Sequence, residues 1–407
     1  MKEAVDAIVV GSGPCGSFAA WKLAQLGVNV RVYEEHKEIG VPCHCAGHLS
    51  IKGLSRLGTY PLPSAVVENT FRGASFFSST GKRFTVRLNS PVTCAVDRTL
   101  FDRYLAEKAR NLGATYCLDS RVENLIVEKD KVEGIVISHQ GNREKVHSRI
   151  VVDAEGISSR LLRQTGLRAL DTKMLVNGIE AEAENVKDTN SDTVEVFFGK
   201  EYAPGFYAWL MPKKNGKTKV GLAARSANPI ELLKKLITKH PVMSKKFRDA
   251  KITRTMIHPI TLGGPITKAY SDGFLAVGDA ASQVKPTTGG GVVFGMTCAA
   301  IAAEVANEAV RQDDVSSHFL KTYQEKCNET LGFDTRMMVR MRRTLNRMSD
   351  DRLDSLIGLC AKLGLDKTLR NVKEIDLQGR TLLHVLRSPR MFAALGYFFF
   401  AYLFANL

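Results

Sequence analysis

Residues 6–36 read DAIVVGSGPCGSFAAWKLAQLGVNVRVYEEH, and this stretch leaves the chain few choices. An apolar run, Ala7–Val10, meets Gly11-Ser12-Gly13-Pro14-Cys15-Gly16. Apolar residues then recur at helical spacing to Leu26, where Gly27 stops the helix. Val28–Tyr33 reads as a second strand that ends at Glu34. The order is strand, tight turn, helix, strand, acid. Gly11 makes the turn, Gly13 lets the backbone approach a pyrophosphate, and Gly16 allows the helix to press on the strand. The helix N-terminus then turns its partial positive charge toward the phosphates. Glu34 stands where an acid accepts hydrogen bonds from ribose hydroxyls. This is a Rossmann-like α/β unit, and its geometry alone leaves FAD and NAD both open.

A distant segment, YSDGFLAVGDAASQVKPTTGGGVVFGMTCAAIAAEVANEA at 270–309, narrows the choice. A strand ends at Gly278-Asp279, and Lys285-Pro286-Thr287-Thr288-Gly289-Gly290-Gly291 opens a helix of small residues. An acid after a buried strand can hold a ribityl hydroxyl, and a Gly-rich turn can bring backbone N–H groups to a pyrophosphate and a flavin ring. The pair resembles the flavin motifs of the p-hydroxybenzoate-hydroxylase-like FAD superfamily. VVDAEGISSRLLRQTG, 151–166, is similar to that superfamily's middle motif, with Glu155-Gly156 where Asp-Gly is usual.

Residues 203–217, APGFYAWLMPKKNGK, lie between two alternating segments, VEVFFG and KVGLAAR, that read as sheet strands. Pro204, Tyr207, Trp209 and Pro212 resemble the P-x-x-Y-x-W-x-F-P signature of the geranylgeranyl reductase family, with Met211 in place of Phe. Tyr207, Trp209 and Met211 would share one strand face as an apolar wall. The resemblance implies an FAD enzyme that saturates the isolated double bonds of geranylgeranyl chains on archaeal glycerol-ether lipids. It implies a cofactor set of Gly11, Gly13, Pro14, Gly16, Glu34, Glu35, Cys45, Ala46, Gly47, Arg98, Asp279, Pro286, Gly289, Gly290, Gly291 and Val292. It implies a substrate face of Tyr207, Trp209, Met211 and His48, and an electron donor such as NAD(P)H, ferredoxin or another reductant.

VPCHCAGH, 41–48, crowds two cysteines and two histidines together. A structural zinc site needs a second ligand pair, and no other Cys/His cluster exists, so no metal is expected. Family members carry a cysteine loop here that folds over the flavin. Cys43 and Cys45 compete for that role, with Cys45-Ala46-Gly47 the better match. An isolated alkene is a poor hydride acceptor, so hydride transfer must be coupled to protonation. The catalytic candidates are Cys45 or Cys43 as proton source, with Trp209 or Tyr207 as an aromatic face for the developing positive charge.

The net charge of +15 favours an acidic partner. No nucleic-acid module or short repeat is present, so an anionic lipid or membrane surface is the better fit. Eight scattered cysteines after a first strand, with no leader, point to a cytoplasmic chain with reduced thiols, docked peripherally on a membrane. Arg336, Arg340, Arg343 and Arg347 share one helical face, beside a stripe of Met337, Met341, Leu345 and Met348. That face is either solvated or a contact for lipid headgroups. After Arg390 the chain carries no charged side chain but holds Tyr397, Phe398, Phe399, Phe400, Tyr402 and Phe404. The tail can be a core helix, a monotopic anchor or a cover for a prenyl tunnel, and surface docking is favoured.

The expected fold is thus α/β. A discontinuous Rossmann-like FAD-binding domain takes 1–75, 95–170 and 255–310. A mixed or antiparallel β-sheet substrate domain takes 76–94 and 171–254, and a helical C-terminal region with an apolar tail takes 311–407. Two rivals stand beside the reductase: a flavin monooxygenase or epoxidase, and a non-catalytic prenyl-lipid carrier.

Overall fold

The computed structural model describes residues 5–370, 372, 374–385 and 388–403, with side chains through 398. The chain divides into two units, each assembled from three stretches. The first comprises 1–43, 98–174 and 261–335; the second comprises 44–97, 175–260 and 336–407.

The first unit is built on a parallel sheet. Val5–Val10 lies between Val30–Tyr33 and the end of Asn142–Asp153, and Thr115–Cys117 and Phe274–Ala276 continue it outward. Ile8, Val9, Val32, Val151, Val152 and Leu275 are fully buried, as strands covered on both faces require. The helix Pro14–Gln25 starts with proline in its first turn, and Gly27 adopts φ +82°, so the punctuation read from the sequence sets the helix length. The long helix Val292–Gln312 is apolar enough to cross a membrane but is a core helix here.

The second unit holds a seven-stranded sheet, in the order Lys251–Thr261, Leu175–Glu184, Thr218–Ala224, Ala208–Pro212, Thr193–Phe197, Gly73–Phe77, Arg83–Arg87. One face buries Ile179, Ala181, Leu210, Val220 and Leu222 against Leu233, Leu236 and Met243 of two short helices. The period of two sends the intervening residues, Glu180, Val196, Trp209, Met211 and Lys219, to the other face.

The boundaries differ from expectation in physical detail. Residues 44–75 belong to the second unit because His48–Ser50 and Val67–Phe71 both pair with Thr93–Val96, and Gly73–Phe77 pairs parallel with Thr193–Phe197. Residues 255–260 join it as part of the sheet's end strand. Residues 311–335 join the first unit, where the buried Tyr323 hydroxyl donates to the Ala276 carbonyl at 2.8 Å and accepts from Gln283 at 2.6 Å.

In the helix Ser317–Arg347, Arg336, Arg340, Arg343 and Arg347 are exposed. The buried stripe is rotated from the expected one. Met338, Arg342 and Met348 are inside, while Met337, Met341 and Leu345 are half-buried. The tail forms the helix Pro389–Leu403, and Met391 and Ala394 pack with Phe84, Ile357 and Leu365. Tyr397 and Phe398 lie against Met348 and Leu353. The side chains of Phe399, Phe400, Tyr402 and Phe404 lie outside the described residues. The inner edge of this helix is therefore core, while Phe392 stays 69% exposed. Met391→Ala should destabilise the protein by about 2 kcal/mol or more through the cavity it leaves, seen as a lowered melting temperature. An unchanged melting temperature would deny this packing.

Candidate functional site

In the first unit the glycine turn at 11–16 is tight. Gly11 adopts φ +91°. A Cβ at Gly16 would fall 2.0 Å from the Gly11 carbonyl oxygen, so only glycine lets this helix approach its strand. A Cβ at Gly13 would meet nothing within 4 Å, leaving the backbone there open to a ligand. Glu34 is buried, and its Oε2 accepts from the Ser12 N–H and hydroxyl, each at 2.8 Å. Its Oε1 accepts from the His36 N–H at 3.0 Å. Burial would raise this carboxyl, but these bonds hold it below the usual range. Glu35 is exposed and pairs with Arg121 at 3.5 Å.

The second flavin motif converges on the same unit. Asp279 follows Phe274–Ala276, and a Cβ at Gly291 would lie 2.8 Å from its Oδ1. Gly289 adopts φ +69°, and its N–H donates to the Lys285 carbonyl at 2.8 Å, closing the turn. Pro286 sits within this turn, Gly290 packs on Lys285, and Val292 opens the helix that Gly291 caps. Arg98 holds Asp102 through two bonds, at 3.0 and 2.9 Å. Burial raises the Asp279 carboxyl, against the pull of Arg98. The open backbone at Gly13, the fixed Glu34 carboxylate and the Gly-rich helix start fit FAD.

Glu155 has a structural task. Its Oε1 accepts the Leu161 N–H at 2.6 Å, and its Oε2 accepts the Ser158 hydroxyl at 3.0 Å, so the longer carboxylate caps a short helix. Asp153 is fully buried beside it, and burial together with Glu155 raises its carboxyl well above the usual range.

In the second unit Trp209 and Met211 lie on one face with Val194, Val196, Phe71 and Ala46. Tyr207 meets Trp209 edge-on at 6.1 Å and stacks on Phe206 at 4.2 Å. Arg342 lies over Phe206 at 4.7 Å, and burial lowers its guanidinium to about 10. Burial pushes the Tyr207 hydroxyl up to about 12, so it holds its proton too tightly to be a ready acid. His48 is bonded to Thr93 Oγ1 at 2.8 Å and meets Phe71 edge-on.

The cysteine loop is tied to two sheets of the second unit, the seven-stranded one through Lys219 and the three-stranded one of His48–Ser50, Val67–Phe71 and Thr93–Val96 through Val96. The Lys219 ammonium donates to the Ala46 carbonyl at 3.0 Å, and the Val96 N–H donates to the Gly47 carbonyl at 2.9 Å. Gly47 turns at φ +70° and donates its N–H to Cys45 Sγ at 3.5 Å. Cys45 is half-buried, and His44 stacks on His258 at 5.4 Å. Cys43 closes the first unit's opening stretch, so the two candidate cysteines fall in different units. All eight cysteines are thiols, and no group of three His, Cys, Asp or Glu side chains able to hold a metal exists among the described residues.

One residue bonded to this face escapes the sequence. Glu180 faces Trp209 across Gly221, and the Trp209 indole N–H donates to its Oε2 at 3.3 Å. Nothing in IEAEAE separates Glu180 from Glu182 and Glu184.

A family model described as FAD binding domain matches residues 4–331. The digeranylgeranylglycerophospholipid reductase 2 of Methanopyrus kandleri is 33% identical over 357 residues, covering 86% of this chain and 89% of its own. The digeranylgeranylglycerophospholipid reductase of Methanocaldococcus jannaschii is 32% identical over 358 residues, with 88% and 90% covered. A geranylgeranyl bacteriochlorophyll reductase-like structure from Thermoplasma acidophilum superposes with a TM-score of 0.86 at 24% identity, covering 97% of this chain and 99% of that one. A flavin-dependent brominase superposes with a TM-score of 0.73 at 19% identity, covering 94% and 93%. These two structures share the fold, and FAD is the cofactor of this chain.

The two glycines should separate on mutation. Gly13→Ala places its methyl in open space, so the apoprotein should melt as before while FAD binds at least about tenfold more weakly, the equivalent of about 1.4 kcal/mol. Gly16→Ala should lower the melting temperature of the apoprotein itself. Flavin fluorescence titration and thermal melting read the two effects, and equal behaviour would contradict this assignment.

Proposed function

We propose that this chain, which belongs to the digeranylgeranylglycerophospholipid reductase family, saturates isolated C=C bonds in geranylgeranyl chains of glycerol-ether phospholipids, with FAD as cofactor. The observation that carries the lipid reading in this molecule is the sheet face of Trp209, Met211, Val194 and Val196 beside Phe71 and Ala46. It is an aromatic and thioether surface suited to a branched hydrocarbon.

When bound and reduced, FAD supplies a hydride. The rest of the reaction falls to the protein. One alkene carbon gains the hydride, the other gains a proton, and the developing positive charge sits on the tertiary carbon. Trp209 offers its ring face to that charge, and Tyr207 holds the Trp209 edge in place. We assign the proton to Cys45 Sγ, on a loop that Lys219 ties to this sheet. Tyr207 is the weaker acid candidate because its hydroxyl is raised. The two electrons come from a donor of the NAD(P)H, ferredoxin or similar class.

The lipid substrate also gives a reason for membrane contact. Phe392 and Leu383 are exposed at 69% and 52%, and the Arg336, Arg340, Arg343 and Arg347 row is exposed too. We assign these to a peripheral membrane-docking surface, the apolar side chains entering the interface and the arginines meeting anionic headgroups. Phe392→Asp should reduce co-sedimentation with anionic lipid vesicles, and unchanged pelleting would argue against it.

The decisive test is anaerobic. With its flavin chemically reduced, the protein should convert di-geranylgeranyl glycerol phosphate to products heavier by successive hydrogen pairs, while the flavin is reoxidised in step. Reoxidation only with oxygen, giving an oxygenated product, would instead establish the monooxygenase. Cys45→Ser should keep FAD and lose turnover, and full activity in that variant would remove Cys45 from the proton path.

A further inference from the structure

The strand Leu175–Glu184 places three glutamates on one face, and their surroundings differ. Glu184 pairs with Lys217 at 3.3 Å. Glu182 pairs with Lys213 at 2.7 Å and Lys217 at 3.0 Å. Glu180 is 6% exposed, has no ion pair within 4 Å among the described residues, and carries a buried Oε1 with no hydrogen-bond partner. Its one bond goes to the Trp209 indole.

The neighbouring strand makes that bond possible. Gly221 lies directly opposite both Trp209 and Glu180. A Cβ there would come within 2.4 Å of Trp209 Cζ2 and 2.5 Å of the Ile179 carbonyl oxygen. The indole therefore lies flat across a bare stretch of backbone, its N–H pointing at the carboxyl. Lys219 and Lys213 face the carboxyl from neighbouring elements, and so does Glu68, which holds both lysines at 2.6 and 2.8 Å.

We propose that Glu180 is a positioning residue for the reductase reaction: its carboxylate fixes the Trp209 ring and sets a negative charge at the N–H edge of the indole whose face meets the developing cation. The inference rests on the functional reading above, because that reading brings the alkene to Trp209. The alkene is uncharged in the ground state and cationic in the transition state, so the carboxylate favours the transition state alone and acts on kcat rather than KM. Burial, the largest influence, raises the carboxyl to about 6, against the pull of Lys219. Above that pH the group is ionised and the ring is fully supported. Below it the charge is lost.

The chain has two tryptophans, so Trp21→Phe leaves Trp209 as its sole indole emitter. In that holoenzyme, the emission should shift with an inflection near pH 6, and Glu180→Gln should abolish the shift. The same variant should lower kcat by about tenfold with KM unchanged, and flatten the rise of kcat through that pH. Glu180→Asp should restore a titration while leaving kcat below the parent. An emission inflection that persists in Glu180→Gln, or a KM that rises as much as kcat falls, would overturn the proposal. If the parent reduces no prenyl lipid under any condition, the functional reading fails instead, and the emission titration still decides whether Glu180 and Trp209 form a coupled pair.

Discussion

The close approach of two backbones at Gly16 is the contact on which the nucleotide-binding unit depends. No side chain fits between the Gly16 Cα and the Gly11 carbonyl. With the helix pressed onto its strand, the turn between them leaves the backbone at Gly13 open, and Glu34 is drawn back to the Ser12 backbone and hydroxyl. The second unit repeats the device with a different occupant. At Gly221 the missing side chain admits an indole ring rather than a helix, and the ring carries a hydrogen bond to the far side. Each site therefore begins with an absence of atoms in the sequence, filled by a neighbour.

Depth decides what the same residue does along one strand. Glu184 and Glu182 meet lysines, and the Lys213 and Lys217 bonds outweigh burial to keep Glu182 below its usual pKa. Two residues away, Glu180 loses most of its water without gaining an ion pair, and its carboxyl moves the other way. A polar stripe on a half-buried sheet thus grades from solvated charge to a titrating group within about 14 Å of strand.

Much of this was legible beforehand because it is local. Gly11, Gly13, Gly16 and Glu34 lie within one strand–turn–helix–strand stretch, and the alternation around Trp209 and Met211 needs only the period of a strand. What the sequence withheld depends on register between distant strands. Glu180 meets Trp209 only because Gly221 aligns with both, across separations no local pattern records. The rotated stripe on Ser317–Arg347 is a similar case. An arginine reads as a surface residue, yet Arg342 is 1% exposed beneath Phe206, so the helix turns a charged residue inward. Residues 44–75 misled for the same reason, since their strand partners, Thr93–Val96 and Thr193–Phe197, come later in the chain.

The interleaving of the two units in sequence also governs how the chain can be made. The nucleotide-binding sheet lacks Phe274–Ala276 until most of the polypeptide has been synthesised, and its Tyr323 anchor comes later still. The other sheet is likewise incomplete before Lys251–Thr261 appears. On the ribosome, neither unit can close as its first segment emerges. Early strands such as Val5–Val10 and Gly73–Phe77 must wait with open edges, so this fold is assembled late, from partners far apart along the chain.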